Sequence, residues 1–172
     1  MEPSEFVTSI VLPLLTDVGK RWESGDFLVV HEHIVSEQVR HLLYGIQQRG
    51  LRPGGDVVLT AAPEGHRHEF GAVIGSYIVA VNGLSSVYLG TDVPWSDLAT
   101  AAKALSASLV VLSAVRKMEP AEIAGFVAGL KRVASECRVW IGSAQHIPDL
   151  ADLPGVRVFN SFTAFETELK GL

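Results

Sequence analysis

The stretch "DVVLTAAPEGHRHEFG", residues 56–71, joins an unbroken apolar run to a loop with two histidines and then to a helix-like segment. Four further short runs follow along the chain: "SSVYLG" (85–90), "LVVLSA" (109–114), "RVWIGS" (138–143) and "VRVFN" (156–160). Four of the five runs show little polar alternation. This pattern is typical of parallel strands that are covered on both faces.

Helix-like segments separate these runs, near residues 69–82, 95–106, 119–134 and 163–170, with a short connection at 144–155. Strands that alternate with helices in this way predict the α/β class. We therefore expect a five-stranded, doubly wound (flavodoxin-like) parallel sheet, preceded by a short helical cap.

The first part of the chain has the apolar period of helices. The spacing predicts one helix over residues 5–23 and a second over 27–48. Asp26 is a plausible N-cap for the second helix, because its carboxylate can accept hydrogen bonds from the first turn. Pro13 should kink the first helix, since proline lacks the backbone donor that the helix needs.

The segment "RGLRPGG", residues 49–55, predicts a linker between two parts of the chain. Residues 1–49 would form the helical cap, a partial helix bundle, and residues 50–172 a Rossmann-like domain. Two helices enclose little by themselves, so we expect the cap to pack on the domain that follows it.

Composition limits the function classes. The chain has 172 residues, 48% of them hydrophobic, and a formal net charge of −5. Its 14 Lys and Arg are scattered, which argues against a domain that grips DNA alone, so DNA would be reached only through a separate domain or partner. Cys137 is the single cysteine, and the sequence shows neither a leader nor an apolar run of spanning length. These features predict a cytoplasmic protein without a membrane segment or an internal disulfide.

Ligands of doubly wound sheets lie at the carboxyl ends of the strands, near the point where the strand order reverses. The candidates are the segment at 63–71, "GTDVP" at 90–94, Ser113 and "GSAQH" at 142–146. The chain has no G-x-G-x-x-G after the first run, no P-loop and no nucleophile elbow. Ser113 stands where a phosphoacceptor receiver domain would need an aspartate.

Three short motifs at the predicted ligand edge of the sheet resemble those of a known family. His68–Gly71 has the form H-x-x-G, "LSAV" lies at 112–115, and "GS" lies at 142–143. At these separations they resemble the pattern of the cobalamin-binding fold. Upstream, "WESGDFLVVHEH" at 22–33 resembles the helical cap of the CarH-type photoreceptors, the light-sensing repressors of the MerR group.

The resemblance implies a bound corrinoid with His68 as the axial ligand of cobalt. A neutral imidazole suits cobalt(III) in a corrin, which already has four equatorial nitrogens. Ser113 would hydrogen-bond the nucleotide tail, and Gly142 would leave room for it. Ser143 stands where the family has a second glycine, and Gly71 would allow close approach under the corrin.

The cap would cover the other face of the cofactor. There the resemblance implies adenosylcobalamin, with Trp22 over the adenosyl group and Glu32 and His33 as polar contacts. Tryptophan offers a broad apolar surface with one donor, which fits a purine in a mostly dry pocket. Light would cleave the cobalt–carbon bond, and movement of the cap would be the signal.

Two residues depart from the family pattern. His66 stands two positions before the ligand, where the family has an acidic residue that orients the imidazole. A neutral His66 can accept a hydrogen bond from the second ring nitrogen of His68, but it adds no negative charge and should make His68 a weaker donor to cobalt. Glu23 follows Trp22, where some of these photoreceptors have a histidine, so the resemblance does not imply a second histidine ligand after illumination.

Other functions fit the same residues. A corrinoid-carrying subunit of a methyltransferase or mutase would use the same His68 on cobalt. A flavodoxin-like scaffold without a cofactor would leave it a solvated loop histidine. His31, His41 and His146 match no motif, and Asp92 has only its position on a loop that faces the ligand. Formation of a homo-oligomer is also open.

Overall fold

The computed structural model describes residues 1–50, 56–143, 145, 150 and 152–172. Most of the predicted linker at 49–55, much of the connection at 144–155 and His146 lie outside the described residues. Among the residues that are described, no helix is long and apolar enough to cross a membrane.

The cap consists of two helical stretches. Helix α1 (Pro3–Phe6), a π-helical turn (Val7–Val11) and α2 (Leu12–Glu23) follow one another directly, and α3 (Val29–Gly50) comes after a short turn. Both predicted helices are therefore present. The helical stretch is irregular just before Pro13, because the π-helical turn ends at Val11 and α2 begins at Leu12.

The start of α3 differs from the prediction, because Asp26 is not its N-cap. The carboxylate of Asp26 accepts a hydrogen bond from Ser24 Oγ at 3.1 Å instead, within the turn before the helix. Leu28 occupies the cap position, where its carbonyl accepts from the His31 N–H at 2.9 Å. The Leu28 N–H donates to His31 Nδ1 at 3.1 Å. His31 thus closes the first turn of the helix with its side chain.

The sheet has the predicted five strands, all parallel. They are β1 (Val57–Ala61), β2 (Ser85–Tyr88), β3 (Leu109–Ser113), β4 (Arg138–Gly142) and β5 (Val156–Phe159), in the order β2-β1-β3-β4-β5. The strand order reverses between β1 and β3. The loops that follow these two strands therefore border the crevice where such folds bind ligands.

Helices cover both faces of the sheet, so the fold is doubly wound. One face packs against α5 (Trp95–Ala104) and α6 (Pro120–Ala134). The other packs against α4 (Phe70–Val81), α7 (Phe162–Leu169) and the cap. These elements confirm the predicted α/β class and place the loops after β1, β3 and β4 at one edge of the sheet.

The cap contributes directly to the core. The cluster on the α4 face of the sheet includes Val111 and Ile74 from the α/β part and Leu43 and Val39 from α3. Gln47 of α3 is also buried, and its amide donates to Ser76 Oγ at 3.0 Å. The two parts of the chain therefore share one hydrophobic cluster, although the sequence pattern changes sharply between them.

Candidate functional site

The loop between β1 and α4 presents one histidine to the outside. The Ala62 N–H donates to the Gly90 carbonyl at 3.0 Å, and the Val93 N–H donates to the Ala62 carbonyl at 3.1 Å. The loop thus starts as an extension of the β1–β2 pairing. His68 lies near its end, two residues before α4, and is exposed. Its imidazole is therefore free to reach a ligand at this edge of the sheet.

His66 points the other way. It is 1% exposed and packs edge-on against the Phe126 ring of α6, with 5.8 Å between the ring centroids. Neither ring nitrogen has a hydrogen-bond partner among the described residues, so this structure contains no bond from His68 to His66. Burial, aided by the positive charge of nearby Arg116, lowers the pKa of His66 and keeps the ring neutral.

A groove of about 310 Å³ opens beside the ends of β3 and β4. Its lining is mostly apolar and includes several glycines and serines. Its lining comes from the cap, α4, β3, β4 and the segment from β5 to α7: Thr8, Leu12, Gly71, Gly75, Val111, Leu112, Ser113, Val115, Trp140, Gly142, Ser143, Phe159, Asn160, Ser161, Phe162 and Phe165. Such a groove suits an elongated, largely apolar group.

Four predicted site residues meet in this groove. The buried Ser113 hydroxyl has no hydrogen-bond partner among the described residues. A Cβ at Gly71 would lie 2.1 Å from that hydroxyl oxygen, so only glycine fits there. A Cβ at Gly142 would meet only the Leu112 carbonyl, at 3.8 Å. Ser143 lines the groove too, although its hydroxyl donates to the Gln145 carbonyl at 3.2 Å.

The cap residues singled out by sequence lie on α2 and α3. Trp22 lies in the last turn of α2 with 47% of its surface exposed. Glu32 accepts a hydrogen bond from Ser36 Oγ at 2.6 Å and lies 2.7 Å from Nδ1 of His33. The bond from Ser36 is the main cause that lowers the pKa of Glu32. Within the described part of the chain, no hydrogen bond joins Glu32 or His33 to the His68 loop.

Comparison with known proteins adds to this geometry. The profile of a family described as a B12 binding domain matches residues 1–44. The transcriptional repressor CarH of Myxococcus xanthus is 33% identical over 149 residues, which cover 84% of this chain and 48% of CarH. The chain belongs to the CarH-type cobalamin-binding domains. CarA, a repressor of the same organism, is 28% identical over 143 residues, which cover 83% of this chain and 48% of CarA.

This CarH-type chain thus spans about half the length of the curated relatives it matches. Two solved structures share its fold. The monomethylamine corrinoid protein of Methanosarcina barkeri has a TM-score of 0.64 at 17% identity and covers all of this chain and 85% of its own. A cobalamin-binding protein of Desulfitobacterium hafniense has a TM-score of 0.56 at 21% identity and covers 91% of this chain and 77% of its own.

Sequence reasoning missed two contacts that hold the His68 loop of the CarH-type domain. Glu69, which follows His68, pairs with Arg40 of the cap helix α3. Asp92 accepts a hydrogen bond from the Gly65 N–H at 2.8 Å. Each contact joins segments that are 27 or 29 residues apart in sequence, so no local motif signals it. For Asp92, its position on the loop after β2 was the only available indication.

Proposed function

We propose that this chain binds adenosylcobalamin with His68 as the cobalt ligand, and that it forms the light-responsive part of a transcription regulator. One observation supports the binding mode above all. At the same edge of the sheet, an exposed His68 stands beside a groove whose buried Ser113 hydroxyl has no partner. A buried hydroxyl without a partner is unfavourable, so a ligand that bonds it gains affinity.

The residues of the groove fit a corrinoid with its nucleotide tail extended. Ser113 would hydrogen-bond the tail, the aromatic rings of Trp140 and Phe159 would cover its apolar base, and Gly71 would keep the entry open. His68 would hold cobalt through a neutral ring nitrogen. Bound adenosylcobalamin would supply a cobalt–carbon bond that light can break.

The cap would carry the response. Trp22 exposes half of its surface on α2, and it would cover the adenosyl group of the bound cofactor. Cap residues such as Leu43 also lie in the core cluster that touches the sheet. A change at the upper face of the cofactor would therefore alter the packing of α2 and α3. The two Myxococcus relatives are transcriptional repressors, which supports a regulatory output through another domain or partner.

A corrinoid carrier for a methyltransferase is the second candidate. The Methanosarcina corrinoid protein aligns over the whole of this chain, and that likeness shows the shared fold. A carrier must expose the upper face of its cofactor to another subunit, whereas a cap tryptophan over that face favours a retained upper ligand. The two functions therefore differ in how the cap responds to light.

The ligand assignment is tested by titrating the protein with adenosylcobalamin in the dark. We expect His68→Ala to weaken binding at least tenfold, because the motif loop would hold no other exposed imidazole. His41→Ala is the matched control, since His41 lies on the outer side of α3 with 65% of its side chain exposed and should bind within about twofold of the wild type. Equal affinity of His68→Ala and the wild type would refute the assignment.

A further inference from the structure

The loop that carries His68 is held at its tip by two neighbouring loops. At Gly65 both backbone polar groups have side-chain partners: the N–H donates to Asp92 Oδ1 at 2.8 Å, and the carbonyl accepts from Arg116 Nε at 3.0 Å. Asp92 follows β2 and Arg116 follows β3. These two strands flank β1, from which the loop emerges. The loop is therefore clamped from both sides.

Asp92 makes the larger number of these contacts. Its backbone N–H donates to the His66 carbonyl at 2.9 Å, and its second carboxylate oxygen lies 3.3 Å from Arg67 Nε. The side chain thus reaches Gly65 and Arg67, and the backbone reaches the residue between them. Asp92 thus contacts three consecutive residues just before His68, two of them, Gly65 and His66, through their backbone.

The backbone of Asp92 is itself unusual. Its φ is +54°, in the left-handed region that few residues other than glycine, asparagine and aspartate adopt readily. Gly65, on the opposite side of the contact, has a φ of +81°. A left-handed turn on each loop brings the carboxylate and the Gly65 N–H together. This geometry places the Asp92 carboxylate within hydrogen-bond distance of the Gly65 N–H.

Arg116 is held in turn by a second carboxylate. Its guanidinium donates to both oxygens of Glu122, at 3.1 and 2.7 Å. The bidentate pair fixes the direction of the guanidinium, which also donates to the Gly65 carbonyl. The loop thus has an acidic support on one side and a basic support on the other.

We infer that Asp92 is the positioning residue for the cobalt ligand His68, acting through the backbone of the loop and not through the imidazole. The inference rests on the proposed ligation by His68 and deepens it. His66 offers no support to that imidazole, because its ring is buried against Phe126. The carboxylate missing from the motif position is replaced by one on the next loop, which orders the main chain instead.

Two substitutions separate the acceptor from the backbone conformation. Asp92→Asn keeps a side-chain oxygen for the Gly65 N–H, and Asp92→Gly removes it, while both residues accept a positive φ. Ser106→Gly is the control, because Ser106 also has a positive φ, +49°, and lies before β3, at the opposite end of the sheet. It shows the effect of a new glycine in a left-handed turn away from the site.

The main readout is the fraction of bound cobalamin that has a histidine nitrogen on cobalt. The probe is cob(II)alamin bound to protein labelled with ¹⁵N-histidine, in which electron paramagnetic resonance distinguishes a protein nitrogen from the ¹⁴N of the cofactor's own base. We expect Asp92→Gly to lower the ratio of His-ligated to unligated complex about fivefold, as the loss of one ordering hydrogen bond should. Asp92→Asn and Ser106→Gly should stay within about twofold of the wild type.

A second readout uses the protein without cofactor. Hydrogen exchange over residues 62–69 should be faster in Asp92→Gly than in Asp92→Asn, because only the first loses the acceptor for Gly65. Equal His-ligated fractions in Asp92→Gly and Asp92→Asn would overturn the inference. So would a loss of total cobalamin binding in Asp92→Gly with an unchanged His-ligated fraction. Absence of a ¹⁵N signal in the wild type would instead refute ligation by His68, and so the proposed function.

Discussion

Helices α3 and α4 pack against each other but have opposite surroundings. Every residue of α4 from Ala72 to Ala80 is buried. On α3, by contrast, Val30, Ile34 and Leu42 each expose half or more of their surface. Helix α4 lies between the sheet and α3, so it is covered on both sides. The cap therefore completes the core with its inner face and keeps an apolar outer face exposed.

Neighbouring leucines of α3 test this difference most strongly. Leu43 is fully buried in the shared cluster, and Leu42 is 50% exposed. Leu43→Ala should lower the free energy of unfolding by about 3 kcal/mol, because it removes buried methyl groups and leaves a cavity. Leu42→Ala should change it by less than about 0.5 kcal/mol. Urea denaturation of the cofactor-free protein measures both, and equal losses would mean that the inner face of α3 does not belong to the core.

Two glycines that lie close against another side chain separate damage to the groove from damage to the fold. A Cβ at Gly71 would lie 2.1 Å from Ser113 Oγ, and one at Gly129 would lie 2.3 Å from the Trp95 ring. Each alanine substitution should cost about 1–3 kcal/mol of stability through overpacking. Only Gly71→Ala should also weaken the affinity for cobalamin, by tenfold or more, when both variants are measured at a temperature where they are folded. The same loss of affinity in Gly129→Ala would show that the effect is global and not local to the groove.

His66 is a buried polar group on the α6 side of the sheet, away from the cap. His66→Leu should raise the stability by about 1 kcal/mol at neutral pH, since both ring nitrogens lack partners among the described residues. The same substitution also tests whether His66, two positions before His68, supports that ligand, because it leaves His68 in place. Urea denaturation at pH 7.5 measures the gain, and a loss of stability would indicate a partner for the imidazole.

The pH dependence of stability follows from the lowered pKa of His66. In the unfolded chain the ring takes up a proton near pH 6.5, whereas the folded chain resists protonation until a lower pH. Protonation therefore favours the unfolded state, and stability should fall as the pH drops below about 6.5. His66→Leu should show a shallower fall over the same range. Parallel profiles for the two proteins would exclude His66 as the cause.

The Arg40–Glu69 pair connects the exposed cap to the loop of His68. Both side chains are partly exposed, 23% and 30%, so the pair should contribute only about 0.5–1 kcal/mol. Arg40→Met removes the charge and keeps most of the apolar stem, which lies near the Phe70 ring. Thermal unfolding should show a loss of stability within this range, and the loss should become smaller in 1 M salt. An unchanged loss in salt would point to packing of the stem instead.

The sequence predicted the sheet well and the side-chain contacts poorly. The apolar runs identified the strands because parallel strands that are covered on both faces read as apolar in composition alone, although Arg157 and Val158 of the edge strand β5 are exposed. Motif spacing did not reveal that His66 faces Phe126, since spacing carries no information about side-chain direction. The N-cap of α3 was missed for a similar reason: Asp26 lies three positions before Val29, where the helix begins, and the chain turns between them. Contacts such as that of Asp92 depend on the fold and cannot be seen before it.

Hydrogen exchange of the adenosylcobalamin complex, before and after green light, tests the central claim most directly. The account predicts faster exchange after illumination in the cap, residues 1–47, because loss of the adenosyl group should alter the packing of α2 and α3. Helix α5, on the opposite face of the sheet, should exchange at the same rate before and after illumination. A complex kept in the dark for the same time should show no change in the exchange of the cap. Identical exchange of the cap in the dark and after illumination, with cobalamin bound throughout, would contradict a light-responsive cap.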